Sequence, residues 1–170
     1  MDEFNLKRRL GKGRWDRKLI ERLTELSVSD NYEEAKFEWR ATGKVWLLRN
    51  HGDDAGTAQW GYNTRQAYRS QEEDWPEHLA RHPYHCLCGH HIVWHFEIEN
   101  MKNGVLEIVG SDHIDAYLVI EALKASGIKE SEITDELIEQ WINEKVKGLK
   151  AQWWWDTNGE LFEMMFNNVK

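Results

Sequence analysis

The sequence predicts an α+β fold: a small single domain in which a turn, a β-hairpin and a helix form one unit and further helices flank it. Three observations predict it. Apolar residues recur at helical spacing in two stretches, near residues 15–26 and 134–146. Between them, residues 91–98 alternate apolar and polar side chains, and a second apolar run follows an Asn103–Gly104 turn. Two cysteines, Cys86 and Cys88, stand directly ahead of that alternation.

Composition sets the frame. A chain of 170 residues fits one domain and is long enough to bury a core. Its 41% hydrophobic and 31% charged content is that of an ordinary soluble globular protein. Ten tryptophans are the exception. A core absorbs most of them, and some are available as contact surface, because Trp is enriched at interfaces and as a stacking platform for bases. The net charge of −8 disfavours a general nucleic-acid binder, which needs a basic footprint. The charge is uneven, with eight of the Lys and Arg residues inside residues 1–24. Residues 1–28 therefore read as a basic N-terminal helical arm on an acidic body, residues 29–170. Such an arm suits phosphate or an acidic protein surface, and a plain solvated helix face accounts for it equally. The opening MDEFNLKRRL is charged with no apolar core behind it, so no secretory leader is expected. No run reaches bilayer length, so no membrane partner is expected either. Cysteines two residues apart make a poor disulfide, which points to a reducing, cytoplasmic setting.

Element by element, Trp15, Leu19, Leu23 and Leu26 predict a first helix. Asp30 and Glu33 resemble a capping box, and Gly43 a stop, which predicts a second helix with Tyr32, Ala35 and Trp39 on one face. Val45–Leu48 reads as a short strand. Residues 50–85 show no clear period, although 64–73 suits a helix and Pro76 the first turn of a short one. Cys86–Gly89 is a tight turn. His91–Ile98 and Val105–Val109 form the hairpin. Ser111 caps a helix that runs to Ser126 and stops at Gly127, which makes 86–126 a turn–hairpin–helix unit. Thr134 caps a last helix with Leu137, Ile138, Trp141, Ile142 and Val146 as its stripe. Residues 150–166 read as a Trp-rich hairpin around Asn158–Gly159, with Trp153, Trp154 and Trp155 on its first strand.

Cys86 and Cys88 form half of a metal site. Zinc prefers four tetrahedral ligands drawn from thiolate and imidazole. A turn with two cysteines presents two sulfurs to one ion, and Gly89 lets the backbone curl around it. A hairpin returns the start of the following helix to that turn, as in treble-clef zinc units, and His113 stands there. The fourth ligand stays open: His91 and His95 rank equally, ahead of His90 and His85, with Asp112 also available. Four protein ligands imply a structural Zn2+. The competing reading is a set of surface histidines beside a chance CxC pair.

The segment CLCGHHIVWHFEIENMKNGVLEIVGSDHI, Cys86 to Ile114, resembles a pattern in uncharacterised small proteins of phages and large DNA viruses. Asn100, Gly104, Val109, Gly110, Ser111 and Ile114 fall on that pattern, and NYEEAKFEW at 31–39 is similar to a stretch upstream of it. The third cysteine of the pattern is replaced by His113. The resemblance implies a zinc-binding, phage-type accessory protein and supplies no activity.

Three functions follow as expectations. The first is a non-enzymatic interaction protein that meets a host or phage protein through Trp153, Trp154 and Trp155, redirecting or inhibiting host machinery, with a second copy of the chain as another partner. The second is a ββα-metal (HNH-like) nuclease, since His91, an Asn and His113 follow in the order such sites use. The third is single-stranded nucleic-acid binding through stacked tryptophans and the basic arm.

Overall fold

The computed structural model describes residues 13–50, 58–62, 66–70, 75–114 and 116–167, with side chains described for 13–48, 75–114, 116–147, 149–151 and Met165. The α+β class predicted above is the one found. Helices α1 (Arg14–Glu25) and α2 (Tyr32–Ala35) precede a five-stranded antiparallel sheet. Its strands are β1 (Trp39–Asn50), β2 (Ala58–Tyr62), β3 (Gln66–Ser70), β4 (Trp94–Asn100) and β5 (Leu106–Val109), in the order β3-β2-β1-β4-β5. Helix α3 (Glu77–Ala80) lies between β3 and β4, and α4 (Ala116–Ala125) and α5 (Asp135–Asn167) follow the sheet.

The central strand β1 divides its side chains between two cores, as strand geometry requires. Trp39, Ala41, Val45 and Leu47 face α1, α4 and α5, where they pack with Phe96, Ile98, Leu118, Val119 and Ile142. Trp46 and Leu48 face the other way and pack with Trp75, Leu79 and Ile108. Helix α1 is docked into the first core through Leu19 and Leu23. Residues 1–12 of the basic arm lie outside the described residues.

Several expectations are corrected. The second helix ends after Ala35, capped by Asn31, which accepts from Glu34 N–H at 3.0 Å, and not by Asp30. Trp39 begins a strand because period-2 burial of Trp39, Ala41, Val45 and Leu47 outweighs local helix signals. Gly43, at φ +97°, is not a helix stop. It sits in an irregularity where Ala41 pairs with Ile98 and Val45 with Phe96. Residues 66–70, expected within a helix, are strand β3, held by pairing with β2. The hairpin strand begins at Trp94, because His91 makes only an isolated bridge with His85. Helix α4 begins at Ala116, and residues 111–113 form a turn ahead of it. The Trp-rich hairpin is absent: residues 150–166 continue α5, a helix of 33 residues. Asn158–Gly159 signals a turn only where flanking segments can pair, and here helix propagation from Thr134 carries through. Thr134 itself caps as predicted, accepting from Leu137 N–H at 3.2 Å. The side chains of Trp153, Trp154 and Trp155 lie outside the described residues.

A buried carboxylate fastens the α2 corner to the β4–β5 turn. Glu38 is 2% exposed and accepts hydrogen bonds from Val28 N–H and Ser29 N–H, both 2.8 Å, and from Asn100 Nδ2 at 3.0 Å. Asn100 Oδ1 in turn accepts from Lys102 N–H and Asn103 N–H, which shapes the turn ending at Gly104. Burial alone would raise the Glu38 pKa, but these hydrogen bonds from Asn100, Ser29 and Val28 outweigh it and hold the carboxyl at about 2.

Glu38→Gln is expected to cost about 1.5–3 kcal/mol of stability at neutral pH, the worth of hydrogen bonds to a charged group. The folded pKa is depressed below the ordinary 4.5, so the ionised contribution is complete above that value and fades as pH falls toward 2. Denaturant melts of wild type and variant should therefore converge below pH 3. A gap of constant size down to pH 2 would count against this carboxylate.

Candidate metal centre

The centre is built from the turn at Cys86, the turn at His113 and the first turn of α1. Cys86 N–H donates to His90 O at 2.9 Å, Gly89 N–H to Cys86 O at 2.8 Å, and Leu87 N–H to Ile108 O at 2.8 Å. These bonds fold residues 86–90 tightly and tie them to β5. Gly89 has φ +97°, a left-handed conformation that L side chains rarely adopt. Gly110, just past β5, permits close approach of another kind: a Cβ there would lie 2.5 Å from Ile92 Cγ2. That contact brings the 110–114 segment down onto the turn.

The result is a buried group of Cys86, Cys88 and His113 whose ligand atoms all lie within 4.8 Å of one another, close enough to hold a metal ion. Cys86 Sγ is 3.4 Å from His113 Nδ1. His90 N–H points at Cys88 Sγ from 3.4 Å. The far side of the His113 ring is fixed as well, with Nε2 at 2.7 Å from Asp16 Oδ1. A carboxylate on one imidazole nitrogen assigns the proton to that side and leaves the other nitrogen free to coordinate. Arg22, one face further along α1, donates to Leu87 O at 2.7 Å and so clamps the turn from the same helix.

The electrostatics match a thiolate site. The Cys86 thiol donates to the Cys88 sulfur, and this lowers Cys88 to about 4 against the opposition of burial, with His113 and the His90 amide helping. The same hydrogen bond, with burial, pushes the Cys86 thiol up. Burial by itself would lower His113, but its hydrogen bonds to Cys88 and Asp16 raise it. The two sulfurs thus favour losing one proton well ahead of the other, and a metal held here would take thiolates and a neutral imidazole.

Of the residues named from sequence, the structure brings together Cys86, Cys88 and His113 and does not bring His91 or His95 to them. His91 stacks on Tyr84, with ring centroids 6.5 Å apart, and its other neighbour is His85 at 5.7 Å. His95 is fully buried and pairs across the sheet with Trp46. Its Nδ1 is 2.8 Å from Val93 O, and burial depresses its pKa to about 4. His90 lies against Trp15 with centroids 4.9 Å apart. Asp16 was missed by sequence reading, because nothing local marks an acid in a basic helix as the partner of a histidine 97 positions away.

A second buried polar group occupies the opposite face of the sheet. His78 Nε2 is 2.8 Å from a Glu97 oxygen, and Thr42 donates to the other at 2.7 Å. His78 and Thr42 hold the Glu97 pKa down against its burial. This trio accounts for its own polar atoms and joins α3 to β4 and β1.

Comparison with protein-family models, with curated proteins and with solved structures gave no match. Among the described residues, no helix is long and apolar enough to cross a membrane.

Asp16→Asn is expected to weaken metal binding about 10- to 100-fold while leaving the helical content of the protein intact, because the histidine loses the carboxylate that orients it. Competition against a chromophoric chelator measures the affinity, and unchanged competition would mean that Asp16 does not serve the metal.

Proposed function

We propose that the chain is a zinc-binding accessory protein of phage type, in which Cys86, Cys88 and His113 hold one structural zinc and the braced body acts by contact with another protein. The observation that carries the zinc reading is the 3.4 Å separation of Cys86 Sγ and His113 Nδ1. Tetrahedral zinc with bonds of about 2.3 Å to sulfur and 2.0–2.1 Å to nitrogen places two such ligand atoms about 3.5 Å apart. Two sulfurs and an imidazole also favour zinc over the hard, oxygen-seeking cations.

Contact with a protein is supported by the acidic charge of −8 and by exposed apolar side chains gathered around the Glu38 cage. Phe37 is 50% exposed, Val28 62% and Met101 44%. Val28 N–H donates to the Glu38 carboxylate, and Met101 N–H donates to Glu38 O at 2.7 Å, so all three are anchored to one rigid corner. A small apolar group on a well-held frame suits a partner surface without requiring rearrangement. The nuclease alternative needs His113 to serve an ion independent of the cysteines and a free histidine opposite it. The proximity of Cys86 to His113, and the engagement of His95 with the Val93 carbonyl, support the zinc reading over it. Binding of single-stranded nucleic acid would rest on residues 1–12 and on the side chains of Trp153–Trp155, which lie outside the described residues.

Elemental analysis of the purified protein is expected to find one zinc per chain. Cys88→Ser and His113→Ala should lose it together with much of the stability, and His113→Cys should retain it. Zinc content unchanged in His113→Ala would overturn the assignment. For the interaction, Phe37→Ser combined with Met101→Ser should leave zinc and melting temperature unchanged and abolish cross-linking to the partner in cells; cross-links that persist would place the contact elsewhere.

A further inference from the structure

Resting on the metal reading above, we infer that the ion takes three ligands from the described residues, and that its fourth position opens onto an aromatic-walled pocket able to take a flat, neutral nitrogen donor of the imidazole kind in exchange for water. The argument proceeds by accounting for every nearby donor. Among the described residues, the group of converging ligand atoms contains Cys86, Cys88 and His113 and no fourth Cys, His, Asp or Glu. Asp16 Oδ1 is engaged by His113 Nε2 at 2.7 Å, on the ring nitrogen that does not face Cys86. The His90 ring lies on Trp15. His91 is held between Tyr84 and His85. His95 stands on the Trp46 face of the sheet with Nδ1 turned to its own backbone neighbour Val93.

What borders the ligands is space. A cavity of about 370 Å³ is lined by Cys86 and His113 together with Trp15, His90, Trp94 and Asp112, and His91 and Asp16 also reach its wall without joining the converging ligand atoms. Cys88 is absent from its walls and is fully buried, so the closed side of the site is at Cys88 and the open side at Cys86 and His113. Three protein ligands with an accessible fourth position is the arrangement of zinc sites that exchange a ligand, in contrast to the closed four-ligand arrangement of purely structural ones. The occupant follows from charge and shape. A divalent ion with two thiolates and a neutral imidazole has no net charge, and the Asp16 carboxylate adds a negative one behind it. A further anion is disfavoured there, and a neutral donor is not. Trp15, Trp94 and His90 line the cavity and make its wall aromatic, which suits a planar ring. A ring nitrogen displacing water forms one metal–nitrogen bond as the metal–oxygen bond breaks, with no change of oxidation state.

The test replaces zinc with cobalt(II) in the full chain and uses imidazole as the probe. Two thiolates and one histidine should give a sulfur-to-cobalt charge-transfer band and visible d–d bands. Millimolar imidazole is expected to shift the d–d bands saturably while elemental analysis after desalting shows cobalt retained at one per chain. His91→Ala and Asp112→Ala should leave the imidazole-free spectrum unchanged, since neither side chain occupies the position. A spectrum indifferent to imidazole, or one altered by either substitution, would show a site closed by the protein itself and would overturn the inference while leaving the metal reading intact. Absence of any cobalt–thiolate band would overturn both.

Discussion

The clamp between α1 and the 86–90 turn is the constraint on which the rest of the centre depends. Helix α1 contributes three side chains to it: Asp16 holds His113, Arg22 holds the carbonyl of Leu87, and Trp15 covers His90. All three come from one short helix, and that helix is seated by Leu19 and Leu23 in the main core. The sulfurs, the imidazole and the core are therefore not independent. Loss of the docked helix would remove the carboxylate that orients His113 and the guanidinium that closes the cysteine turn in a single event.

The sheet supplies the complementary half. Leu87 bonds to Ile108 on β5, and Gly110 lets the chain pass under Ile92 immediately after that strand. The antiparallel β4–β5 hairpin thus delivers Cys86, ahead of its first strand, and His113, after its second, to the same open end. At the far end of the same hairpin, Asn100 and Glu38 fix the turn. Metal centre and carboxylate cage lie at the two ends of one ladder, and register in β4–β5 is pinned by both.

How much of this was legible in the sequence follows from how local each signal is. Cys86, Cys88 and His113 are joined by a hairpin whose alternation and Asn103–Gly104 turn are encoded within thirty residues, so the clustering of these three side chains could be read. Thr134 as a cap and α3 after Pro76 were readable for the same reason. What failed was set at a distance. Tyr32, Ala35 and Trp39 carry helix-like spacing, yet pairing with β4 and burial in the main core make Trp39 the start of a strand, while Val45–Leu48 lies in the strand its apolar run predicted. Residues 66–70 form a strand only because β2 pairs with them. The expected C-terminal hairpin lacked a third strand to join, and α5 continues through its turn signal. Asp16 and Glu38 are legible only once their partners, 97 and 62 residues away, are in place.

That distance between Asp16 and His113 has a consequence for biogenesis. A ribosome adds about 5–20 residues per second, so the 97 positions that separate the two take roughly 5–20 s to make. For most of that interval the apolar stripe of α1, with Leu19 and Leu23, has neither β4 nor the 86–90 turn to cover it. The contact of Asp16 with His113 therefore forms only after the whole β4–β5 hairpin has been made.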